Sequence, residues 1–193
     1  MLNIVIFGAP GSGKGTQSEY IIKKYGLAHI STGDVLRAER DSGSELGKLA
    51  ESYMSKGQLI PDELMVDILA SVFDHKTKQD GCKGVIFDGF PRTIPQGIAL
   101  SEMLQEREQK IAAVISLEVP EEALIERLLN RGRETGRTDD NYDTIKARLD
   151  VYYNQTSPLK EKYKTEGLLH NIEGLGTKDE IFARIATVID KVN

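Results

Sequence analysis

The stretch that most narrows what this chain can fold into is its start, MLNIVIFGAPGSGKGTQ. An apolar, β-branched run, Leu2 to Phe7, passes directly into a segment holding four glycines, one lysine and one threonine. Gly8, Gly13 and Lys14 stand in the spacing G-x-x-x-x-G-K, after a strand and before a helix. Glycines let the backbone fold so that successive N–H groups converge on one point, a nest for phosphate oxygens. The following helix adds its first N–H groups and the positive end of its dipole, and Lys14 adds a full charge near the distal phosphates. Gly11, Ser12, Gly13, Lys14, Gly15 and Thr16 are therefore the expected cradle for a polyphosphate. A plain strand-to-helix turn accounts for one or two glycines, not for GAPGSGKGT. In the general pattern a Ser or Thr directly follows the lysine. Here Gly15 intervenes before Thr16, so a direct bond from that hydroxyl to Mg²⁺ is not expected.

The rest of the chain supplies a fold for this loop. Short apolar runs at Asn3–Phe7, Ala28–Ser31, Gly84–Phe87, Ala112–Leu117 and Leu168–Ile172 read as strands. Between them lie amphipathic stretches at Thr16–Tyr25, Asp62–His75, Pro95–Arg107, Glu121–Arg131 and Lys178–Val192. Gly26 suits a helix C-terminal cap, and Thr177 followed by Asp179 and Glu180 suits a helix start. Nearly continuous apolar strands alternating with helices imply a parallel sheet covered on both faces. The expected fold is α/β and three-layered, and 193 residues suffice for one domain. Two segments fit this rhythm badly. Thr32–Ile60 is helical and polar with weak apolar periodicity, and Arg131–Asn141 (RGRETGRTDDN) is too polar for a core. Both read as excursions above the sheet, where lids are found.

Charge separates the partner classes. A net charge of −5 gives no general reason to expect nucleic acid or an anionic membrane. Yet five of the ten arginines, Arg127, Arg131, Arg133, Arg137 and Arg148, fall within one short segment. A solvated helix face with Glu126 and Glu134 is one account of them; neutralising a specific anion is the other. Asp88, closing the strand GVIFD, lies where such a fold holds Mg²⁺ or its waters, although capping the DGFPR turn is an equal use for it when taken alone. One cysteine, Cys82, excludes an internal disulfide and a Cys-based zinc cluster. His29, His75 and His170 show no partner pattern and read as ordinary strand or surface residues. No apolar run approaches a membrane span, and the N-terminal run lacks a basic flank, so a cytoplasmic protein is expected.

The segments GAPGSGKGTQ, STGDVLR, DGFPRTIPQ and GRTDDN, in this order, resemble the adenylate kinase family, and the resemblance runs from residue 3 to the final helix. Only five residues separate Arg131 from Arg137, so the resemblance is to the short-lid form, which has no zinc site. It implies a P-loop fold with a five-stranded parallel sheet in a single domain, 1–193. The core would be 1–30, 61–130 and 142–193, with a helical AMP-binding insert at 31–60 and a short lid at 131–141. It implies reversible transfer, MgATP + AMP ⇌ 2 ADP, by a monomer whose partners are nucleotides. Carried over by position, Gly11 to Thr16 would hold the ATP phosphates, Arg127 and Arg131 would contact ATP, and Lys178 would meet its adenine through the backbone. Thr32, Arg37, Gln58, Leu59, Ile60, Gly89, Phe90, Pro91, Arg92 and Gln96 would form the AMP site, joined by Arg137 and Arg148. Lys14, Arg92, Arg131, Arg137 and Arg148 would act on the transferring phosphoryl group, and Asp88 would hold Mg²⁺ through water. Arg133 has no matching role and is left as a surface charge.

This assignment agrees with the chemistry of the residues. Two phosphate chains meeting head-on gather roughly six negative charges, counting ≈ −2 for each terminal phosphate. Arginine forks bind phosphate bidentately and keep their charge. A phosphate acceptor is already anionic and needs no general base, and no spare base stands out. A UMP/CMP kinase of the same fold is the nearest rival, but Thr32 and Gln96 match the adenylate pattern. A GTPase-like switch lacks the Asn-Lys-x-Asp motif. A catalytically inactive nucleotide-binding module would have no use for the retained lysine and arginines.

Overall fold

The computed structural model describes residues 1–79 and 81–193. Five strands, β1 (Leu2–Gly8), β2 (Ala28–Ser31), β3 (Gly84–Asp88), β4 (Ile111–Glu118) and β5 (Leu169–Glu173), form one sheet. They lie in the order β2-β3-β1-β4-β5, with every neighbouring pair parallel. Around them lie α1 (Lys14–Tyr25), α2 (Thr32–Ser42), α3 (Glu45–Met54), α4 (Asp62–Thr77), α5 (Ile94–Gln105), α6 (Glu121–Thr135), α7 (Tyr142–Val151), α8 (Leu159–Thr165) and α9 (Lys178–Val192). A π-helical turn, Tyr152–Thr156, follows α7. Among the described residues no helix is long and apolar enough to cross a membrane.

The two faces of the sheet follow from the period of two along each strand. Val5, Phe7, Val85 and Phe87 turn toward α4, α5 and α8, where Leu69, Phe73, Leu100, Leu104 and Tyr163 complete the layer. Ile4, Ile6, Ile86 and Ile115 turn the other way, onto Ile21 of α1 and Ile181, Ile185 and Ile189 of α9. Every residue of β1 is buried, as a central strand covered on both faces requires. The chain leaves β1 toward β2 and β3 on one side, then crosses to β4 and β5 on the other. Ligands of open α/β sheets bind at the carboxyl ends of strands beside such a reversal. Here it places the loop after β1 next to the loop after β3.

Strand positions agree with the sequence reading to within a residue at each end. Gly26 caps α1 in the left-handed conformation, and Thr177 with Glu180 forms a capping box on α9. Two differences matter. α6 continues to Thr135, so the polar segment from Arg131 begins as helix rather than loop. And 142–165, assigned no element from sequence, is helical almost throughout. Its seam of Ile145, Leu149, Tyr152, Thr156, Leu159 and Tyr163 is buried, spaced by alternating fours and threes as a helical stripe should be.

Candidate active site

The glycine loop acquires its shape from what packs behind it. Gly11 has φ +84, and a Cβ there would lie 2.9 Å from both the Leu124 carbonyl oxygen and the Leu128 side chain of α6. Only glycine fits both the conformation and the space. α1 then begins at Lys14 itself, two residues earlier than the sequence suggested. The Lys14 ammonium donates to the carbonyls of Gly8 at 2.7 Å and Ala9 at 3.2 Å. Removal from water pushes its pKa down to about 8; Asp88 opposes this, while Arg92, Arg148 and Arg131 add to it.

In front of the loop opens a cleft of about 820 Å³. Among the described residues, eight Lys or Arg side chains and three acidic ones line it, in a chain whose net charge is −5. Such a reversal of sign in one concavity marks a binding site for a polyanion. The eight come from the glycine loop (Lys14), α2 (Arg37), the turn after β3 (Arg92), α6 (Arg127, Arg131), the loop after it (Arg137), α7 (Arg148) and the start of α9 (Lys178). Arg133, left unassigned from sequence, is exposed and donates to Asn130.

Several of these cations hold protein partners. Arg131 makes a two-pronged pair with the buried Asp140 carboxylate at 2.6 and 2.8 Å, and Arg148 donates to the same carboxylate at 2.9 Å and to Asp139 at 3.0 Å. Burial alone would raise the Asp140 carboxyl, but Arg131 and Arg148 bring it below its ordinary range. Burial alone would lower Arg131, but Asp140 raises it above its ordinary value. Arg137 is lowered, by burial first and then by Arg37 and Arg131. Arg92 is pushed down to about 10, chiefly by burial and then by Arg148; its Nε donates to the Gly89 carbonyl at 2.6 Å. Arg37 pairs with Asp34. Arg127 reaches the Ser12 and Gly174 carbonyls, and the Lys178 carbonyl accepts from Gln17 at 3.0 Å.

A second recess adjoins the cleft. Leu36, Leu59, Ile60, Met65 and Phe90 give it apolar walls, with Thr32, Gln58, Arg92 and Gln96 at its polar edge. Thr32 donates to the Gly89 carbonyl at 2.8 Å, fixing α2 against the turn after β3. Gly57, at φ +69, lets the end of the 31–60 segment lie flat on α7, where a Cβ would meet Arg148 at 3.0 Å. Pro91 lines the inner wall shared with Lys14 and Arg92. The structure thus brings every residue expected in the site to the cleft or the recess beside it.

Sequence reasoning missed four contributors. Asp139 and Asp140 pair with Arg131 and Arg148, a role that the adjacent signs in RTDD could have signalled. Asp62 holds Gln96, across a separation of 34 residues that no local pattern reveals. His29, read as an ordinary strand histidine, has Nε2 3.6 Å from the Asp88 carboxylate. Asp88 lies at the cleft-facing end of β3 and its side chain is 12% exposed. One carboxylate beside a phosphate cradle fits magnesium, which keeps its waters and binds through one or two carboxylates plus substrate phosphates. No group of three His, Cys, Asp or Glu suited to a metal occurs among the described residues.

A glycine loop on the first strand of a parallel sheet, an acidic strand end beside it and a ring of arginines in front define a P-loop nucleotide-binding protein. Comparison with known proteins narrows this. Residues 6–168 match the family model described as adenylate kinase. A protein of Bacteroides fragilis named adenylate kinase is 66% identical over 190 residues, covering 98% of this chain and 99% of that one. Its namesake in Bacteroides thetaiotaomicron is 63% identical over the full length of both chains, and that of Porphyromonas gingivalis is 53% identical over 99% of this chain and 97% of its own. The chain belongs to the adenylate kinase family.

Proposed function

We propose that the protein transfers a phosphoryl group reversibly between MgATP and AMP, giving two ADP. The observation that carries this reading is the convergence of Lys14, Arg92, Arg131, Arg137 and Arg148, from five separate segments, on one cleft beside a second recess with apolar walls and a polar edge. Phosphoryl transfer asks little covalent chemistry of a protein, so positioning and charge neutralisation dominate. In this reading Gly11–Thr16 hold the ATP phosphates, and Arg127 and the Lys178 backbone flank its adenine. The AMP phosphate meets Arg37, Arg92, Arg137 and Arg148. Its base enters the recess between Thr32, Gln58–Ile60, Gly89–Pro91 and Gln96. Asp88 would hold magnesium through water, and the metal would supply neutralisation of the phosphate charge. Segments 31–60 and 131–141 act as insert and lid on a core of 1–30, 61–130 and 142–193. The protein works as a cytoplasmic monomer without zinc.

An acceptor panel tests it. With MgATP as donor, AMP is expected to exceed CMP, UMP and GMP by at least about a hundredfold in kcat/KM, since directed polar contacts to a base discriminate at least that well. Comparable efficiency with UMP would move the protein to the pyrimidine nucleotide kinases.

A further inference from the structure

Gln96 is 2% exposed and stands among the residues that line the second recess. Its Nε2 donates to Asp62 Oδ1 at 2.7 Å, and its Oε1 accepts from the Arg92 backbone N–H at 2.7 Å. Asp62 is in turn held by the Thr93 hydroxyl, which donates to Oδ2 at 2.8 Å, while Thr93 also caps α5 by accepting from the Gln96 N–H. A carboxylate only accepts and a backbone N–H only donates. These two partners therefore admit one orientation of the amide. Turning it over would face its oxygen to the carboxylate and its NH₂ to another N–H, losing two hydrogen bonds and creating two repulsions. Asp62 lies in the first turn of α4, where the helix N-terminus favours its negative charge.

An amide offers two donors and two acceptor sites. One of each is taken by Asp62 and Arg92, leaving one N–H and one lone pair for a ligand in the recess. The remaining pair is complementary to a base edge with a ring-nitrogen acceptor beside an exocyclic amino donor. A keto base presents the reverse, a ring N–H beside a carbonyl, which a freely turning glutamine would accept as readily. Resting on the AMP reading above, we infer that Asp62 is the positioning residue that sets acceptor-base specificity, by fixing the hydrogen-bonding polarity of Gln96 for an amino base over a keto base.

Inosine monophosphate tests this cleanly, because it matches AMP in shape and reverses only that edge. The wild-type protein is expected to favour AMP over IMP by at least about a hundredfold in kcat/KM. In Asp62→Asn the partner can donate or accept, and the ratio is expected to fall about tenfold or more as IMP improves relative to AMP. A merely structural role at the start of α4 would lower both acceptors equally and leave the ratio unchanged, which would overturn the proposal. Should Asp62→Asn fail to fold, Asp62→Ser likewise gives Gln96 a partner that can donate or accept and suits the start of a helix. The same ratio is then read: a several-fold fall supports the proposal and an unchanged ratio refutes it. If the wild-type protein shows no preference for AMP over either UMP or IMP, the functional reading itself fails, a result distinct from failure of the Asp62 role.

Discussion

The depressed pKa of Lys14 should make nucleotide binding take up protons near pH 8.5. In the free protein the ammonium is held at about 8 by loss of water, with three nearby arginines adding to the shift. At pH 8.5 only about a quarter of the molecules carry that proton, whereas at pH 7 about nine-tenths do, by simple titration. Phosphate oxygens placed on the loop restore the charged form, since an anion within a few ångströms favours it. Binding of MgATP should therefore take up about 0.8 proton at pH 8.5 and about 0.1 at pH 7. Arg92, lowered only to about 10, stays charged at both. Calorimetry in buffers of different ionisation enthalpy measures this directly, as the slope of observed enthalpy against buffer enthalpy. Lys14→Arg keeps a charge that does not titrate and should abolish the slope. A flat wild-type response at pH 8.5 would show that Lys14 is already charged or does not meet the phosphates. The free protein should show the matching stability effect. The unfolded chain binds more protons than the native one between about pH 8 and the ordinary value of 10.5. The Lys14 contribution to stability thus rises with pH across that window, by on the order of 3 kcal/mol.

Four further outcomes are expected. Lys14→Met should fold normally by circular dichroism but lose at least about a hundredfold in turnover, the scale of one transition-state charge contact; near-normal turnover would end the loop assignment. Asp140→Ala leaves Arg131 and Arg148 facing each other without their shared carboxylate, so a loss of about 3 kcal/mol, or a Tm fall of about 6–12 °C, is expected by thermal denaturation; an unchanged Tm would mean the cluster is energetically idle. EDTA should stop catalysis without lowering Tm, and metal analysis should find no stoichiometric zinc; tight zinc at one per chain would refute the reading of the lid. Hydrogen exchange should be fast at 32–60 and 131–141 in the free protein and slow with two adenosines joined by five phosphates, while 3–7 and 112–117 stay slow throughout; ligand-independent protection of both segments would refute the lid.

How much of this was legible depended on the range of the signal. The strands announced themselves because β1, β3 and β4 are buried on both faces and so carry almost nothing but apolar residues. The glycine loop is legible for a similar reason: its function is performed by backbone, and glycine is the residue that frees backbone. The stripe from Ile145 to Tyr163 is hard to read although its spacing is helical. Thr156 stands in it as a polar member, and Pro158 interrupts it. The Asp62–Gln96 and Arg131–Asp140 pairings lie beyond such reading, because one sequence records which residues are present and not which of them meet. For the same reason Gln96 could be expected in the site, while the carboxylate that orients it could not.

The carboxylates of Asp139 and Asp140 give Arg131 and Arg148 counter-ions within the protein itself. To a small dissolved anion such as orthophosphate, Arg131 and Arg148 present a locally compensated patch rather than a bare pair of cations. Entry there means displacing a carboxylate that already accepts three charge-assisted bonds, at 2.6, 2.8 and 2.9 Å, with only bulk concentration to drive the exchange. A phosphate chain anchored at the glycine loop would compete on different terms, because its distal end would stand beside the arginines at an effective concentration on the order of millimolar. The Arg131–Asp140–Arg148 cluster would thus be masked toward stray anions and unmasked by tethering, so that a plentiful free phosphate would not displace the carboxylate.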